Sequence, residues 1–143
     1  MEDGYMLGLL FAVLFCGLIV VIVINENKKI IKKIENIKSM VAKEKMELLE
    51  NTKFYKYESN NNFLVGTSYI YDIVEEETRV EIMLLYKKIP NNKSGINYDL
   101  DCVYMSKDDF SEKNLKVGMC VKTIHNTAPQ VWFKVKEILN VEK

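Results

Sequence analysis

The residues that most readily do chemistry are few in this chain and do not cluster. His125 is the only histidine, and no Asp–Ser or Cys signature surrounds it to make it the base of a nucleophile. It adjoins the turn His125-Asn126-Thr127-Ala128-Pro129, and a surface turn residue is the simpler reading. Cys102, Cys120 and His125 carry zinc-binding atoms, but their separation matches no zinc-ligand spacing. Both cysteines alternate with polar neighbours as core residues do. The pairs Asp99/Asp101 and Asp108/Asp109 are hard oxygen ligands of the type calcium takes, yet no glycine-containing calcium loop lies between them. A solvated strand face and a helix start account for them. No Walker or dinucleotide loop is present to cradle phosphate. On these grounds no catalytic residue, cofactor or metal ligand is assigned, and the chain is not expected to be an enzyme.

Aromatic side chains are the better candidates. Tyr69, Tyr71, Tyr98, Tyr104 and Trp132 could line a ligand pocket or present a contact face; the alternative is the core of a small β domain. Trp132 and Phe133 are neighbours on one expected strand, so one of them faces away from the interior. The candidate contact residues are accordingly Trp132, Phe133, Tyr69, Tyr71 and Tyr98.

These residues sit in a chain of 143 residues with 20 basic and 20 acidic side chains, room for one compact domain plus accessories. The balance holds locally, with 13 of each sign from Lys53 onward. Nucleic-acid binding usually needs a basic excess, and Arg79 is the only arginine, so no nucleic-acid partner is expected. Cys16, Cys102 and Cys120 make no disulfide framework, which suits a reducing compartment.

The strongest signal lies at the N-terminus. Met6 to Ile24 is a run of 19 uncharged residues. As a helix it covers about 28 Å, close to the ~30 Å of a bilayer core. A cleaved signal peptide begins with positive charge and ends in small residues before the cut. Here Glu2 and Asp3 precede the run and Asn25-Glu26-Asn27-Lys28 follows it. Residues 1–25 are therefore expected to be a transmembrane anchor with its span at 6–24. Lys28, Lys29, Lys32 and Lys33 follow the span, and by the positive-inside rule they place the C-terminal side in the cytoplasm and the N-terminus outside. The same four lysines lie where they would meet the membrane surface.

Residues 26–51 contain no Pro or Gly and read as an amphipathic stalk helix. Ile30, Ile34, Ile37, Val41 and Leu48 follow heptad-like spacing, with Glu44 interrupting it. The stripe can self-associate as a coiled coil, lie on the bilayer or pack on the folded end. Residues 52–62 then break the helical period as a linker, although Phe54 and Tyr57 are large enough to dock on the domain.

From Phe63 the period becomes alternating. Val80, Ile82, Leu84 and Tyr86 form one face; Ile96, Tyr98, Leu100, Cys102 and Tyr104 form another. Strands are predicted at about 63–74, 78–89, 96–105, 118–125 and 130–139. A short helix capped by Ser106 is expected between the third and fourth. That order predicts a mainly β domain over 63–143, a small five-stranded antiparallel barrel of the OB-like or SH3-like kind. The function expected from this layout is a single-pass, membrane-tethered interaction module that recruits a protein partner, with a homo-oligomer through the stalk. The alternative is an effector whose barrel senses a small molecule such as a nucleotide and clusters the spans.

Overall fold

In a computed structural model that describes residues 2–57, 62–89, 97–127 and 134–142, the chain forms two units, residues 1–36 and 37–143. Helix α1 (Glu2–Met40) is one helix long and apolar enough to cross a membrane. Its large apolar side chains from Tyr5 to Ile24 are exposed, the pattern of a helix made for a non-aqueous surround rather than for a protein core.

The stalk is not the single helix its composition predicts. α1 runs on to Met40, and Ala42 then takes an extended conformation (φ −60°, ψ 143°) as the N-cap of α2 (Lys43–Glu50). No side chain caps α2. The break changes which residue is buried: Leu49 is fully covered, while the heptad-position Leu48 is only half-buried. Ile37 and Val41 are buried as well. Two of the five seam positions are thus used within the folded unit rather than left for a second helix.

The β domain is a six-stranded antiparallel sheet made from β1 (Tyr55–Lys56), β2 (Phe63–Glu75), β3 (Val80–Lys87), β4 (Tyr98–Met105), β5 (Cys120–Asn126) and β6 (Val135–Val141). Its order is β4-β3-β2-β5-β6, with β1 pairing on β2. The sheet is open, which corrects the expected closed five-stranded barrel. The extra strand lies in the segment read as a linker, where Tyr55 pairs with Val65 and Lys56 with Leu64.

The long β2 organises the rest. Its first half pairs with β5 from Phe63 to Tyr69, and its second half pairs with β3 from Ser68 to Glu75. A bulge between Ile70 and Asp72 interrupts the β2–β3 ladder just beyond the β5-paired stretch. Bulges sharpen twist, and the sheet curls until β4 and β6 approach. There a side chain takes the place of a ladder: Asp101 Oδ2 accepts from the Val135 N–H at 2.9 Å, while its Oδ1 accepts from Cys102 N–H at 2.8 Å. Asp99 Oδ1 likewise accepts from Leu100 N–H at 2.8 Å.

Residues opposite each other in a ladder share a face. The concave face gathers Ile70, Val80, Ile82, Leu84, Tyr86, Val103, Val121, Val135 and Ile138, joined by Leu115. The four alternate β3 residues are buried as their period predicts. On β4 the inward set is Asp99, Asp101, Val103 and Met105, opposite Tyr86, Leu84, Ile82 and Val80. The apolar β4 set faces outward instead; Tyr98 is buried there and Tyr104 is 47% exposed. The carboxylates are tolerated inside the curl because each accepts backbone hydrogen bonds.

Between β4 and β5, helix α3 (Lys107–Lys113) starts as predicted: Ser106 Oγ accepts from Asp109 N–H at 3.2 Å. It ends at Asn114, which takes the left-handed conformation (φ 51°). Phe110 of α3 packs against the core.

Candidate functional site

His125 is not a surface turn residue. β5 continues through it to Asn126, and its side chain is fully buried. It shares the concave face with Val121 and Thr123 at period two. Its Nε2 lies 2.8 Å from Thr123 Oγ1, which is itself 2.8 Å from Ser68 Oγ and donates to Gly66 O at 3.3 Å. One proton arrangement satisfies this string. Thr123 donates to the Gly66 carbonyl and accepts from Ser68 and from an Nε2-protonated His125. That leaves Nδ1 as a bare lone pair, and it has no partner among the described residues. An unpaired lone pair costs less than an unpaired buried N–H, which supports the same tautomer.

Two rings enclose the imidazole. Tyr86 meets it edge-on at 4.8 Å between centroids and Phe54 at 5.7 Å. Burial pushes the His125 pKa down to about 4, and burial raises that of Tyr86, with Asp99 and Asp101 adding to the rise. A neutral histidine sealed behind two aromatic rings is placed to hold strands β2 and β5 together through Thr123 and Ser68. Phe54 reaches it because Gly66 is glycine: a Cβ there would overlap the Phe54 ring. Gly66→Ala is therefore expected to destabilise the domain by about 1–3 kcal/mol, the usual effect of overpacking. Thermal unfolding of the two proteins checks this.

The convex face is divided. Beneath α2 it is covered: Leu85 and Leu49 are fully buried, Lys38 lies 4.7 Å above the Tyr98 ring, and Lys87 Nζ donates to Glu50 O at 2.8 Å. Beyond α2 a groove of about 420 Å³ opens, lined by Tyr55, Lys56, Tyr57, Val65, Lys122, Leu139 and Asn140. Tyr55 is 48% and Tyr57 37% exposed. Lys122 stands 5.6 Å from the Tyr55 ring centroid, and its hydrogen bond to Tyr55 favours the charged ammonium. The groove thus combines an aliphatic floor, two tyrosines and fixed positive charge. A smaller depression alongside shares Tyr55 and Lys122 and adds Lys53, Thr67 and Glu142.

The aromatic residues singled out in the sequence are not brought together. Tyr98 is buried under the helical cover, with burial and a hydrogen bond to Glu50 raising its pKa to about 12. Tyr69 and Tyr71 are half-buried on β2, and neither lines the groove. Trp132 and Phe133 lie outside the described residues. Lys28, Lys29, Lys32 and Lys33 are exposed on α1 directly after the apolar run. Sequence reasoning missed Tyr55, Lys122 and Leu139, which meet only through strand pairing. The signal that could have found them is the interleaving of lysine and aromatic residues in Lys53-Phe54-Tyr55-Lys56-Tyr57.

Among the described residues, no three or more His, Cys, Asp or Glu side chains gather as a metal ion would require. Cys102 and Cys120 are free thiols, and burial is the main cause raising both pKa values. With the geometry in hand, comparison with protein-family profiles, curated proteins and solved structures finds no match. The residues alone carry the functional argument.

Proposed function

We propose that this chain is a single-pass membrane protein that holds a folded domain at the cytoplasmic surface, where the domain recruits a protein partner. The observation that carries the reading is the convex-face groove beside β1. It exposes Tyr55 and Tyr57 over an aliphatic floor of Val65 and Leu139, where α2 leaves the sheet uncovered. Half-exposed tyrosines at the centre of an apolar depression are the residue type that dominates protein interfaces. The lysines at 28, 29, 32 and 33 support the cytoplasmic orientation. The exposure of Ile30 and Ile31 on α1 supports a homo-oligomer, although Ile34, Ile37 and Val41 are buried and do not contribute to that seam.

The alternative, an effector that senses a small molecule, draws support from the groove volume, which falls within the range of ligand pockets. It is the weaker reading because Tyr55, Lys56, Tyr57 and Asn140 are exposed at the groove, whereas small-molecule pockets enclose their ligands.

A photo-reactive phenylalanine analogue at position 57, in the full chain expressed in cells, tests the proposal. A discrete protein adduct is expected at position 57 and not at position 107, on the exposed start of α3. Equal adducts at both positions, or none at position 57, would overturn it. A cysteine at position 111 is expected to resist a membrane-impermeant maleimide until the cells are permeabilised.

A further inference from the structure

We infer that residues 51–57 form a strap that lifts from the sheet and reseats on it, with Phe54 as its latch, and that the groove accepts a partner only while the latch is seated. This rests on the reading of the chain as a recruiting module and concerns how that same site is regulated.

The strap is joined to the sheet at few points. Of its side chains only those of Thr52 and Phe54 are not exposed. Thr52 serves the helix before it, its Oγ1 donating to Leu48 O at 2.9 Å and its N–H to Leu49 O at 3.2 Å. Phe54 is therefore the half-buried side chain that seats the strap on the sheet. The remaining attachment is the pairing of Tyr55 with Val65 and Lys56 with Leu64, the Tyr57 N–H donated to Phe63 O at 3.1 Å, and the hydrogen bond between Tyr55 and Lys122. Alongside these contacts the strap borders hollows. Tyr55, Lys56 and Tyr57 form one wall of the groove, and β2, β5 and β6 supply the other through Val65, Lys122, Leu139 and Asn140. Asn51, Thr52 and Lys53 border the smaller depression in the same way. A segment with so little buried contact opens at a lower free energy than the strands beneath it.

The seat is specific. Continuing the β1 register places Phe54 opposite Gly66, and its ring covers the position where any other residue would carry Cβ. An aromatic ring laid over a cross-strand glycine fills surface that the glycine leaves bare. The same ring meets the His125 imidazole edge-on at 5.7 Å between centroids. Latch and groove are coupled because Phe54 and Tyr55 are consecutive, and successive side chains of an extended segment point to opposite faces. Withdrawal of Phe54 from Gly66 therefore turns Tyr55 away from Val65 and Lys122, and the groove loses its tyrosine wall. The converse holds by linkage: a partner held against Tyr55 and Tyr57 keeps Phe54 seated. The latch thus sets the fraction of molecules competent to bind, and apparent affinity falls with that fraction.

Hydrogen exchange of the full chain in detergent micelles, read by mass spectrometry, tests the motion. The position-57 photo-adduct in cells tests its effect on the groove. Peptides covering Tyr55 and Lys56 are expected to exchange at a rate nearly independent of low urea, as local opening does, while exchange in β3 rises steeply with urea. Phe54→Leu and Gly66→Ala disturb the latch from its two sides. Both are expected to speed strap exchange about tenfold or more and to lower the adduct yield at position 57 about fivefold or more. Phe110→Leu on α3 is expected to change neither. If Gly66→Ala does not fold, Phe54→Leu decides alone. Strap exchange that follows the urea dependence of β3 would overturn the inference. An adduct that forms in the wild type and is undiminished in the latch variants would leave recruitment standing and sink the latch. With no adduct in the wild type, the recruiting role fails and the gating falls with it, whatever the strap exchange shows.

Discussion

Acidification from pH 7 to pH 4 should destabilise the domain through His125, by about 3 kcal/mol once the group is protonated in both folded and unfolded chains. The sign follows from the two protonation equilibria. Unfolded, the imidazole takes a proton near 6.5; folded, burial holds it neutral until about 4. Between those values the unfolded chain binds more protons, so stability falls as pH falls. Above pH 6.5 the contribution is fully present. Carboxylates titrate in the lower part of the same window, so the informative quantity is a difference. His125→Leu should lose the Thr123 hydrogen bond and some stability at pH 7, yet show a shallower decline than the wild type towards pH 4. Denaturant unfolding at a series of pH values, followed by circular dichroism, measures both. Parallel declines in the two proteins would mean that His125 is hydrated in solution.

Leu49→Ala should be the most damaging single truncation in the helical cover, at about 2–5 kcal/mol for a fully buried leucine. Leu48→Ala should be much milder, because Leu48 is only half-buried. A continuous heptad stalk predicts the reverse order, since Leu48 occupies the seam and Leu49 lies beside it. The two variants therefore separate a domain-packed α2 from a self-associating stalk by one pair of unfolding curves. Loss of Leu49 should also loosen the neighbourhood of Leu85, seen as faster amide exchange in β3.

The parts of the fold that were legible in the sequence are those set by local physics. The β3 alternation predicted a buried face because every second residue is apolar and the strand is central. Ser106 predicted the start of α3 because a hydroxyl before an acidic first turn caps a helix by itself. Other features depended on distant residues. The break at Val41–Ala42 carries no Gly or Pro; it places Leu49 on the sheet, a demand that a helical wheel does not contain. β1 is two residues long and exists only because β2 offers it a partner. On β4 the apolar set faces outward because Asp101 is needed inside to reach Val135.

The candidate site was less legible than the fold. His125 alternates with Val121 and Thr123, the pattern of a buried strand face, but the adjoining turn residues suggested exposure. Tyr55 and Lys122 are 67 positions apart, and only the β1–β2–β5 pairing brings them together. Tyr98, expected as a contact residue, is instead buried beside Glu50 of α2, and packing on the folded end is one of the three covers the stalk stripe allows.

Asp99, Asp101 and Lys113 have a consequence for how many copies of this domain can share a small volume. An open sheet offers its outermost strands as templates on which identical chains can stack. Here the donors of Leu100, Cys102 and Val135 are already occupied by carboxylates, and the Leu139 carbonyl accepts from Lys113 Nζ at 3.3 Å. A neighbouring copy would have to displace charged groups before it could add a strand to β4. Strand addition by a second copy at β4 is therefore opposed by groups that belong to the domain itself.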